Sequence, residues 1–368
     1  MTALRVLFAD AISEARLQPL TSAGVECVIE ASLSAEDLPT RIQGFDGLVV
    51  RSTKVTAETI EAADALQFIV RAGAGVDNID SHCASEHGVF VCNVPGRNAV
   101  AVAELTMGLL LSVDRRIADN TADLRAGVWK KGVYSKADGL LGKKLGIIGL
   151  GEIGLQVAKR AKAFGITVVA VRKDGRSQQI LQRIRSIGIR MVDSTDELLA
   201  ESDIVSLHVP KSPSTQGMVD RAFLEAMKPG AVLLNTSRGE VVNEADLLDA
   251  LNNGLRAGLD VYSGEPKTAD GTFDSAVASH PNVVGTHHIG ASTEQAQRSV
   301  ADGTVKTVQA FVNGAPINVV NMNVVRRGNA NLIVKHLDRV GVLAAVFALL
   351  RSVEVNVQEM QNQLFSGD

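Results

Sequence analysis

The stretch that decides the fold reads Leu145-Gly146-Ile147-Ile148-Gly149-Leu150-Gly151-Glu152-Ile153-Gly154. An apolar run ends in three glycines with the spacing of a GxGxxG turn. Apolar residues then recur at helical intervals as far as Phe164, and a second apolar run follows at Thr167–Val171. This order of strand, glycine turn, helix and strand is the context that the glycine motif requires. The sequence therefore predicts a dinucleotide-binding unit.

Each glycine of this turn has its own physical role. The first allows the tight turn, the second lets the backbone approach a pyrophosphate, and the third lets the helix pack closely on the strand. The free amides at the start of the helix attract the phosphates. The residues expected at the pyrophosphate are Gly149, Gly151, Glu152, Ile153 and Gly154.

Length and charge narrow the class of protein. A chain of 368 residues predicts two or three domains. The formal net charge of -4 does not favour a nucleic-acid or membrane-surface partner. No run approaches the roughly 18 apolar residues of a membrane span, and the first residues lack a signal-peptide pattern. The three cysteines have no metal-ligand spacing. We expect a cytoplasmic protein with no metal site.

Short apolar runs separated by amphipathic stretches predict an α/β protein with two doubly wound parallel sheets. The strands expected in the first sheet are Val6–Ala9, Val25–Ile29, Leu48–Arg51, Phe68–Arg71 and Val89–Asn93. The strands expected in the second are Leu145–Ile148, Thr167–Val171, Ile204–Leu207, Ala231–Asn235, Gly258–Val261 and Val283–Gly285. A total of six or seven strands would match a Rossmann sheet.

Two long helices connect these parts. Asn98–Leu111 is apolar almost all round, which predicts burial on more than one side and favours a homodimer or higher homo-oligomer. The helix at Glu294–Val312 is expected to return to the first domain. The expected domains are 1–97 with 291–318 for substrate binding, 98–290 for the dinucleotide, and 319–368 for a linker and a C-terminal piece. In that piece we expect a strand at Asn331–His336, a helix at Val340–Leu350 and a strand at Val355–Gln361.

Three ionisable residues follow successive strands of the second sheet: Arg238, Glu265 and His288. Ligands of open α/β sheets bind outside the carboxyl ends of the strands, so all three can face one crevice. A guanidinium there can hold a carboxylate in bidentate fashion and polarise the adjacent carbonyl. An imidazole tuned by a carboxylate can move a hydroxyl proton near neutral pH.

The chain resembles the D-isomer-specific 2-hydroxyacid dehydrogenase family, and within it most closely the D-3-phosphoglycerate dehydrogenases. The segments that carry the resemblance are the glycine motif, residues 71–80 (RAGAGVDNID), 208–210 (HVP) and 227–230 (MKPG), and the segments around Arg238, Glu265 and His288. By this resemblance those last three form the catalytic set. The residues implied at the cofactor are His208, Val209, Pro210, Thr236, Ser237 and Asp260. Those implied at the substrate are Ala74, Gly75 and Asn98.

Further arginines end strands of the first sheet. Arg51, with Ser52 beside it, and Arg71 can pair with a phosphate as well as with a carboxylate, which favours a phosphorylated acid; structural ion pairs are the competing explanation. By the family resemblance, the substrate implied is 3-phospho-D-glycerate, converted to 3-phosphohydroxypyruvate at the entry to serine synthesis. Two alternatives stay open. One is an NADPH-dependent glyoxylate or hydroxypyruvate reductase, and the other is a nucleotide-sensing interaction protein of the co-repressor type.

The sequence departs from the family pattern in three places. Arg172 and Lys173 stand where an NAD enzyme carries an acidic residue for the ribose 2′-hydroxyl, and this leaves NAD and NADP both open. His287 replaces a usual proline beside His288, and because adjacent side chains near a strand end point opposite ways we expect it to be structural. Residues 336–343 resemble the first turn of an ACT domain, of which about half is present.

Overall fold

Short apolar runs build a parallel sheet in the first part of the chain. The computed structural model describes residues 4–266, 271–322, 332, 334, 339–357 and 360. The first sheet contains β1 (Arg5–Phe8), β2 (Glu26–Ile29), β3 (Gly47–Val50), β4 (Phe68–Arg71) and β5 (Phe90–Cys92). The helices between them are α1 (Glu14–Ser22), α2 (Leu38–Arg41), α3 (Ala57–Ala62) and α4 (Ser81–Glu86). The order β2-β1-β3-β4-β5 reverses between β1 and β3, where a doubly wound sheet opens a crevice.

The second sheet follows the glycine turn and, in the described residues, has seven parallel strands. They are β6 (Lys144–Ile148), β7 (Thr167–Val171), β8 (Arg190–Val192), β9 (Ile204–Leu207), β10 (Val232–Asn235), β11 (Arg256–Leu259) and β12 (Val283–Gly285). The helices are α5 (Ala99–Arg115), α6 (Ile117–Arg125), α7 (Lys131–Tyr134), α8 (Glu152–Ala163), α9 (Gln178–Ile187), α10 (Thr195–Glu201), α11 (Arg221–Glu225) and α12 (Glu244–Asn252), with a 3-10 turn at Gly239–Val241. The order β12-β11-β10-β9-β6-β7-β8 reverses between β6 and β9. The predicted pair of doubly wound sheets is confirmed.

The predicted strands agree with the observed ones to within two residues at either end. Except in the edge strands β2 and β12, their central residues are buried, which is why they were recognisable as continuous apolar runs. The position of β8 was not predicted. It lies at the edge of the second sheet, and Arg190 and Met191 are not fully buried, so its composition carries little strand signal.

The long helix α13 (Glu294–Val312) has the predicted bounds and packs on the first sheet. It contacts α1 and β4. The ring of Phe311 lies 4.2 Å from that of Phe68 and 5.7 Å from that of Phe90, measured between centroids. Val308 is fully buried in the same cluster, a burial that contributes about 1.5–3 kcal/mol. The exact boundaries of the two domains that α13 connects stay predictions.

The apolar helix α5 is buried by its own chain. It packs against α8 and against β10, β11 and β12, and residues such as Met107 and Leu110 lie in one of the cores of the second sheet. The prediction of burial on more than one side is therefore correct. The same burial weakens α5 as an argument for a second subunit, because most of its apolar side chains are already covered; Val100 is the exposed large apolar residue of the helix.

The chain divides into two compact units, Met1–Val320 and Asn321–Asp368. The second contains α14 (Val342–Ser352), which confirms the predicted helix with a shift of two residues. The strand predicted at 331–336 lies outside the described residues except for 332 and 334. Of the strand predicted at 355–361, the described residues 355–357 and 360 form no strand, and the others lie outside the description. The ACT-like assignment stays a prediction.

Among the helices of the described ranges, none combines the length and the apolar character of a membrane span.

Candidate active site

The glycine turn between β6 and α8 leaves room for a phosphate group. Gly149 has φ +100°, and a Cβ there would collide with the carbonyl oxygen of His208. A Cβ at Gly154 would collide with the carbonyl oxygen of Gly149, so the helix and the turn touch directly. At Gly151 a Cβ would meet no heavy atom of the described residues within 4 Å. The turn therefore combines close packing behind with open space in front, which fits a dinucleotide pyrophosphate.

The loop after β9 forms the neighbouring wall of this crevice. His208 is partly buried, its Nε2 lies 2.8 Å from Ser206 Oγ, and its buried Nδ1 has no hydrogen-bond partner in the described residues. Burial lowers the pKa of His208 to about 3, so the ring is neutral. Val209 packs behind Gly149, and Pro210 follows at the surface. These three residues lie beside the glycine turn, and their role at the cofactor stays a prediction.

The end of β7 carries paired charges. Arg172 Nε donates to Asp193 Oδ1 at 3.1 Å, and both side chains are largely exposed. Lys173, which follows Arg172, is also exposed. Asp193 follows β8, so the neighbouring strand supplies a carboxylate beside Arg172, the residue predicted at the ribose. Asp193 therefore balances only part of the positive charge of Arg172 and Lys173.

A second ion pair connects the glycine turn to α9. Arg183 donates to both carboxylate oxygens of Glu152, at 2.6 and 2.9 Å. This bidentate contact lowers the pKa of Glu152 and raises that of Arg183. Arg183 was not among the predicted site residues, because its contact depends on how α9 packs on α8.

Arg238, Glu265 and His288 follow three neighbouring strands. Asn235, Leu259 and Gly285 end those strands and are paired in register. The three loops therefore leave the sheet from one edge. Arg238 is close enough to His288 for its positive charge to act to lower the pKa of His288. The structure thus brings the three predicted residues to one place.

His288 and Glu265 form a hydrogen-bonded pair. His288 Nδ1 lies 2.7 Å from Glu265 Oε2, and Glu265 Oε1 accepts from the backbone amide of Tyr262 at 2.8 Å. The hydrogen bond to Glu265 raises the pKa of His288. With Nδ1 occupied, Nε2 is the nitrogen left for a ligand. The neighbouring His287 is exposed and takes no part in the pair.

Asp260 supports the loop that carries His288. Its buried carboxylate accepts from Thr286 Oγ1 at 2.6 Å, from the amide of Ile289 at 2.9 Å and from the amide of Gly290 at 2.8 Å. His288 itself has φ 53°, a strained conformation for a residue with a side chain. The carboxylate fixes the loop on both sides of this strained residue. The resemblance placed Asp260 at the nicotinamide, and both of its carboxylate oxygens accept hydrogen bonds from the loop that carries His288.

The loop of Arg238 is also fixed from within. Asn235 donates to the carbonyl of Arg238 at 2.9 Å and accepts from both the amide and the hydroxyl of Ser237. The hydroxyl of Thr236 is buried and lies 2.9 Å from that of Thr106 on α5. The side chains of Thr236 and Ser237 are thus engaged internally, and what the loop presents outward is the guanidinium.

Across the cleft, Arg238 meets the loop that follows β4. Its Nε and Nη2 lie 3.3 and 3.2 Å from Asp77 Oδ2. A Cβ at Gly75 would lie 2.6 Å from Nη2, so a side chain at this position would displace the guanidinium. The carbonyl of neighbouring Ala74 accepts from Asn93 at 2.6 Å. Asp77 lies inside the family-like segment 71–80 but was not predicted as a site residue.

Arg51 and Arg71 complete the charged cluster. Arg51 follows β3, and Asp10 at the end of β1 accepts from the amides of residues 51–53, Ser52 included. Arg71 ends β4, and its Nε is buried without a hydrogen-bond partner in the described residues. Burial, then the nearby charge of Arg238, lowers the pKa of Arg71. An arginine left under-paired beside other guanidiniums is suited to receive an anion.

Asn98 lies at the start of α5. Its carbonyl accepts the amide of Val102 at 3.1 Å, and its side chain makes no capping hydrogen bond within the described residues. The amide group is therefore left for a ligand. Groups of three or more side chains suited to a metal ion are absent from the described part of the chain.

The comparison with known proteins matches a family model to the part of the chain that contains the glycine turn and the second sheet. Residues 107–290 match the family model described as D-isomer specific 2-hydroxyacid dehydrogenase, NAD binding domain. The D-3-phosphoglycerate dehydrogenase of Methanocaldococcus jannaschii is 40% identical over 87% of this chain and 60% of its own length. The hydroxypyruvate reductase of Thermotoga maritima is 42% identical over 84% of this chain and 98% of its own length.

Solved structures share the architecture. The crystal structure of a glyoxylate reductase from Paecilomyes thermophila superposes with a TM-score of 0.77 at 27% identity, covering 87% of this chain and 99% of that one. The chain spans only 49% to 64% of the length of four D-3-phosphoglycerate dehydrogenases that it matches.

Proposed function

This chain belongs to the D-isomer specific 2-hydroxyacid dehydrogenase family, and on that premise we propose that it transfers hydride between a nicotinamide dinucleotide and C2 of a D-2-hydroxy acid. The observation that carries the proposal is the His288–Glu265 pair, 2.7 Å apart, on the same sheet edge as Arg238. A proton-transferring group and a carboxylate-binding group then stand at the carboxyl ends of neighbouring strands, next to a phosphate-binding turn.

The proposed roles follow from the contacts. The glycine turn and the wall at residues 208–210 hold the dinucleotide, which accepts or supplies the hydride when bound. Arg238 binds the carboxylate of the acid and polarises its neighbouring carbonyl. His288, whose pKa is raised by Glu265, gives its Nε2 proton to the developing alkoxide in reduction and takes the hydroxyl proton in oxidation. Asp260 keeps the His288 loop in place.

The proposed substrate is 3-phospho-D-glycerate, oxidised to 3-phosphohydroxypyruvate. Two arginines besides Arg238 favour a substrate with a second anionic group, because Arg71 has a buried nitrogen without a partner in the described residues and Arg51 lies near it. Sequence similarity to D-3-phosphoglycerate dehydrogenases supports the same choice. The full-length match to a hydroxypyruvate reductase favours a second candidate, the reduction of unphosphorylated 2-keto acids.

A substrate panel separates the two candidates. We expect kcat/KM for 3-phospho-D-glycerate to exceed that for D-glycerate by about ten-fold or more, the effect of one or two charge-assisted hydrogen bonds. The reverse reaction is measured with 3-phosphohydroxypyruvate, hydroxypyruvate and glyoxylate. Equal values with and without the phosphate would establish the second candidate instead.

We further propose that both NAD and NADP are accepted. Arg172 can pair with a 2′-phosphate, while Asp193 beside it can accept from a 2′-hydroxyl, so neither coenzyme meets a purely repulsive site. The panel is therefore run with both coenzymes. A preference of more than about a thousand-fold for either one, equal to about 4 kcal/mol, would contradict this proposal.

A homodimer is the proposed assembly, and the compartment proposed is the cytoplasm, which the free cysteines support. With α5 buried, the surface that favours a dimer is the segment 117–141, whose exposed apolar residues include Leu124, Trp129 and Leu141. Trp129 is 78% exposed and is the one tryptophan of the sequence. If it lies in an interface, its emission moves to the red on dilution, in step with the mass measured by light scattering.

A further inference from the structure

The carboxylate-binding edge of Arg238 is already occupied by a carboxylate of the same chain. A guanidinium binds a carboxylate best through Nε and one terminal nitrogen. In Arg238 these two nitrogens face Asp77 Oδ2, at 3.3 and 3.2 Å. The remaining terminal nitrogen, Nη1, donates to the carbonyl of Ser237 at 2.7 Å. An incoming substrate carboxylate therefore meets a guanidinium whose best edge is taken.

The pair is held loosely enough to be exchanged. The side chains of Arg238 and Asp77 are 32% and 52% exposed, and both distances exceed those of a tight charge-assisted bond. Gly75 lets the loop backbone pass directly against the guanidinium, since a Cβ there would lie 2.6 Å from Nη2 and 3.1 Å from Asp77 Oδ2. The close approach of the loop backbone thus brings Asp77 into contact with Arg238, and the contact remains accessible to solvent.

The surrounding charge gives Asp77 a second effect. Arg71 and Arg238 act on one another as like charges, and the negative charge of Asp77 acts against that repulsion on Arg71. Without a ligand, Asp77 therefore balances guanidiniums that would otherwise face each other. With an anionic ligand present, the ligand supplies the same negative charge, and Asp77 is no longer required there.

We propose that Asp77 is a positioning residue that occupies the carboxylate-binding edge of Arg238 until the carboxylate of the substrate replaces it. The proposal rests on the proposed function, in which Arg238 binds that carboxylate. Asp77 keeps the guanidinium aimed into the cleft and competes with every acid that enters. It thereby lowers the affinity for substrate and product alike.

The test is Asp77→Asn, which keeps the shape and removes the charge. We expect KM for the hydroxy acid to fall about two- to five-fold, the range for a half-exposed ion pair, while kcat changes by less than about two-fold. Oxamate, a small carboxylate that cannot be reduced, should bind more tightly by the same factor, measured by titration in the presence of NADH. Asp77→Glu, which restores the charge, should return both values toward those of the parent protein.

Asp80→Asn is the matched control on the same loop. Asp80 caps α4 by accepting from the amide of Cys83 at 3.0 Å and does not contact Arg238. Its loss should lower the thermal stability without changing oxamate binding. A purely structural role for Asp77 would give the Asp80 pattern. Unchanged or weaker oxamate binding in Asp77→Asn would overturn the proposal.

Arg238→Gln distinguishes failure of this inference from failure of the proposed function. If Arg238→Gln abolishes oxamate binding but Asp77→Asn leaves it unchanged, Arg238 is the carboxylate anchor and the competition is refuted. If Arg238→Gln still binds oxamate as well as the parent protein, the anchor itself is wrong, and both proposals fail together.

Discussion

After β11, the carboxylates of Asp260 and Glu265 are satisfied by the loops that follow β11 and β12, whereas at the end of β4 the guanidinium of Arg71 is satisfied only in part. Asp260 accepts three hydrogen bonds and Glu265 two, all at 2.9 Å or less. Arg71, in contrast, keeps a buried nitrogen without a partner in the described residues. One edge of the cleft is thus pre-organised, and the other is short of negative charge.

The difference follows from what each edge has to do. A proton-transferring histidine needs one orientation and one charge state, and both are fixed by neighbours that do not change during the reaction. An anion-binding edge needs unsatisfied donors, because their partner is the ligand itself. We therefore expect substitutions on the first edge to change turnover and substitutions on the second to change substrate affinity and selectivity.

The largest effect is expected for His288→Ala. Loss of the general acid and base should lower kcat by about 10²-fold or more, with little change in coenzyme binding. His287→Ala is the matched control, since the adjacent ring is exposed and unpaired with Glu265. Steady-state kinetics in both directions checks the prediction. Near-normal turnover in the first variant, or an equal loss in the second, would remove the assignment.

Arg71→Met tests the anion-binding edge and should have the next largest effect. We expect kcat/KM for 3-phospho-D-glycerate to fall about 10- to 100-fold, because a charge-assisted hydrogen bond to the substrate is lost. The value for D-glycerate should change by less than about three-fold. Arg41→Met, on a surface arginine paired with Glu30, is the control. An equal loss for both acids would mean that Arg71 does not recognise the phosphate.

The strands could be predicted well, and the reason lies in their burial. A parallel strand covered on both faces is a continuous apolar run, and β4 and β9 were placed at their observed bounds. The edge strand β8 escaped because Arg190 and Met191 are not buried on both sides. Likewise, Arg238, Glu265 and His288 were predictable because each lies in the loop that follows a strand of the same sheet.

Contacts between distant segments could not be predicted in the same way. Asp77 and Arg238 are separated by 161 positions, and their contact depends on how one sheet faces the other. The pairing of Glu152 with Arg183 depends on helix packing, and that of Arg172 with Asp193 depends on two neighbouring strand ends. Strand periodicity carries no information on any of these three distances.

Glu265→Gln tests the fixed edge by pH. Glu265 raises the pKa of His288, so its neutral replacement should lower that pKa. Reduction uses the charged imidazole, so the falling limb of its pH–activity curve should move to lower pH. At neutral pH we therefore expect about a ten-fold loss of activity in reduction. In oxidation, which uses the neutral imidazole, the rising limb should also move to lower pH. A limb that stays in place would show that the titrating group is not His288.

The same pair predicts a pH-dependent stability. Because the pKa of His288 is raised in the folded protein, the stabilisation is complete below the unfolded value of about 6.5 and is lost as the pH rises through the folded value. The difference in Tm between the parent protein and Glu265→Gln should therefore be larger at pH 6 than at pH 9. A difference that grows with pH would contradict the direction of the shift.

The smallest effect is expected at the coenzyme end of the cleft, where both members of the Arg172–Asp193 pair are exposed. Asp193→Asn frees the guanidinium and removes a negative charge that repels a 2′-phosphate, so the ratio of kcat/KM for NADP to that for NAD should rise about two- to five-fold. Asp196→Asn, in the first turn of α10, is a nearby control that keeps the pair intact. Added salt should reduce the gain, because exposed charges are screened. If the ratio does not change, Arg172 does not lie at the 2′-position of the coenzyme ribose. The excess of hydrogen-bond donors over carboxylates would then be confined to the edge of the cleft that carries Arg71.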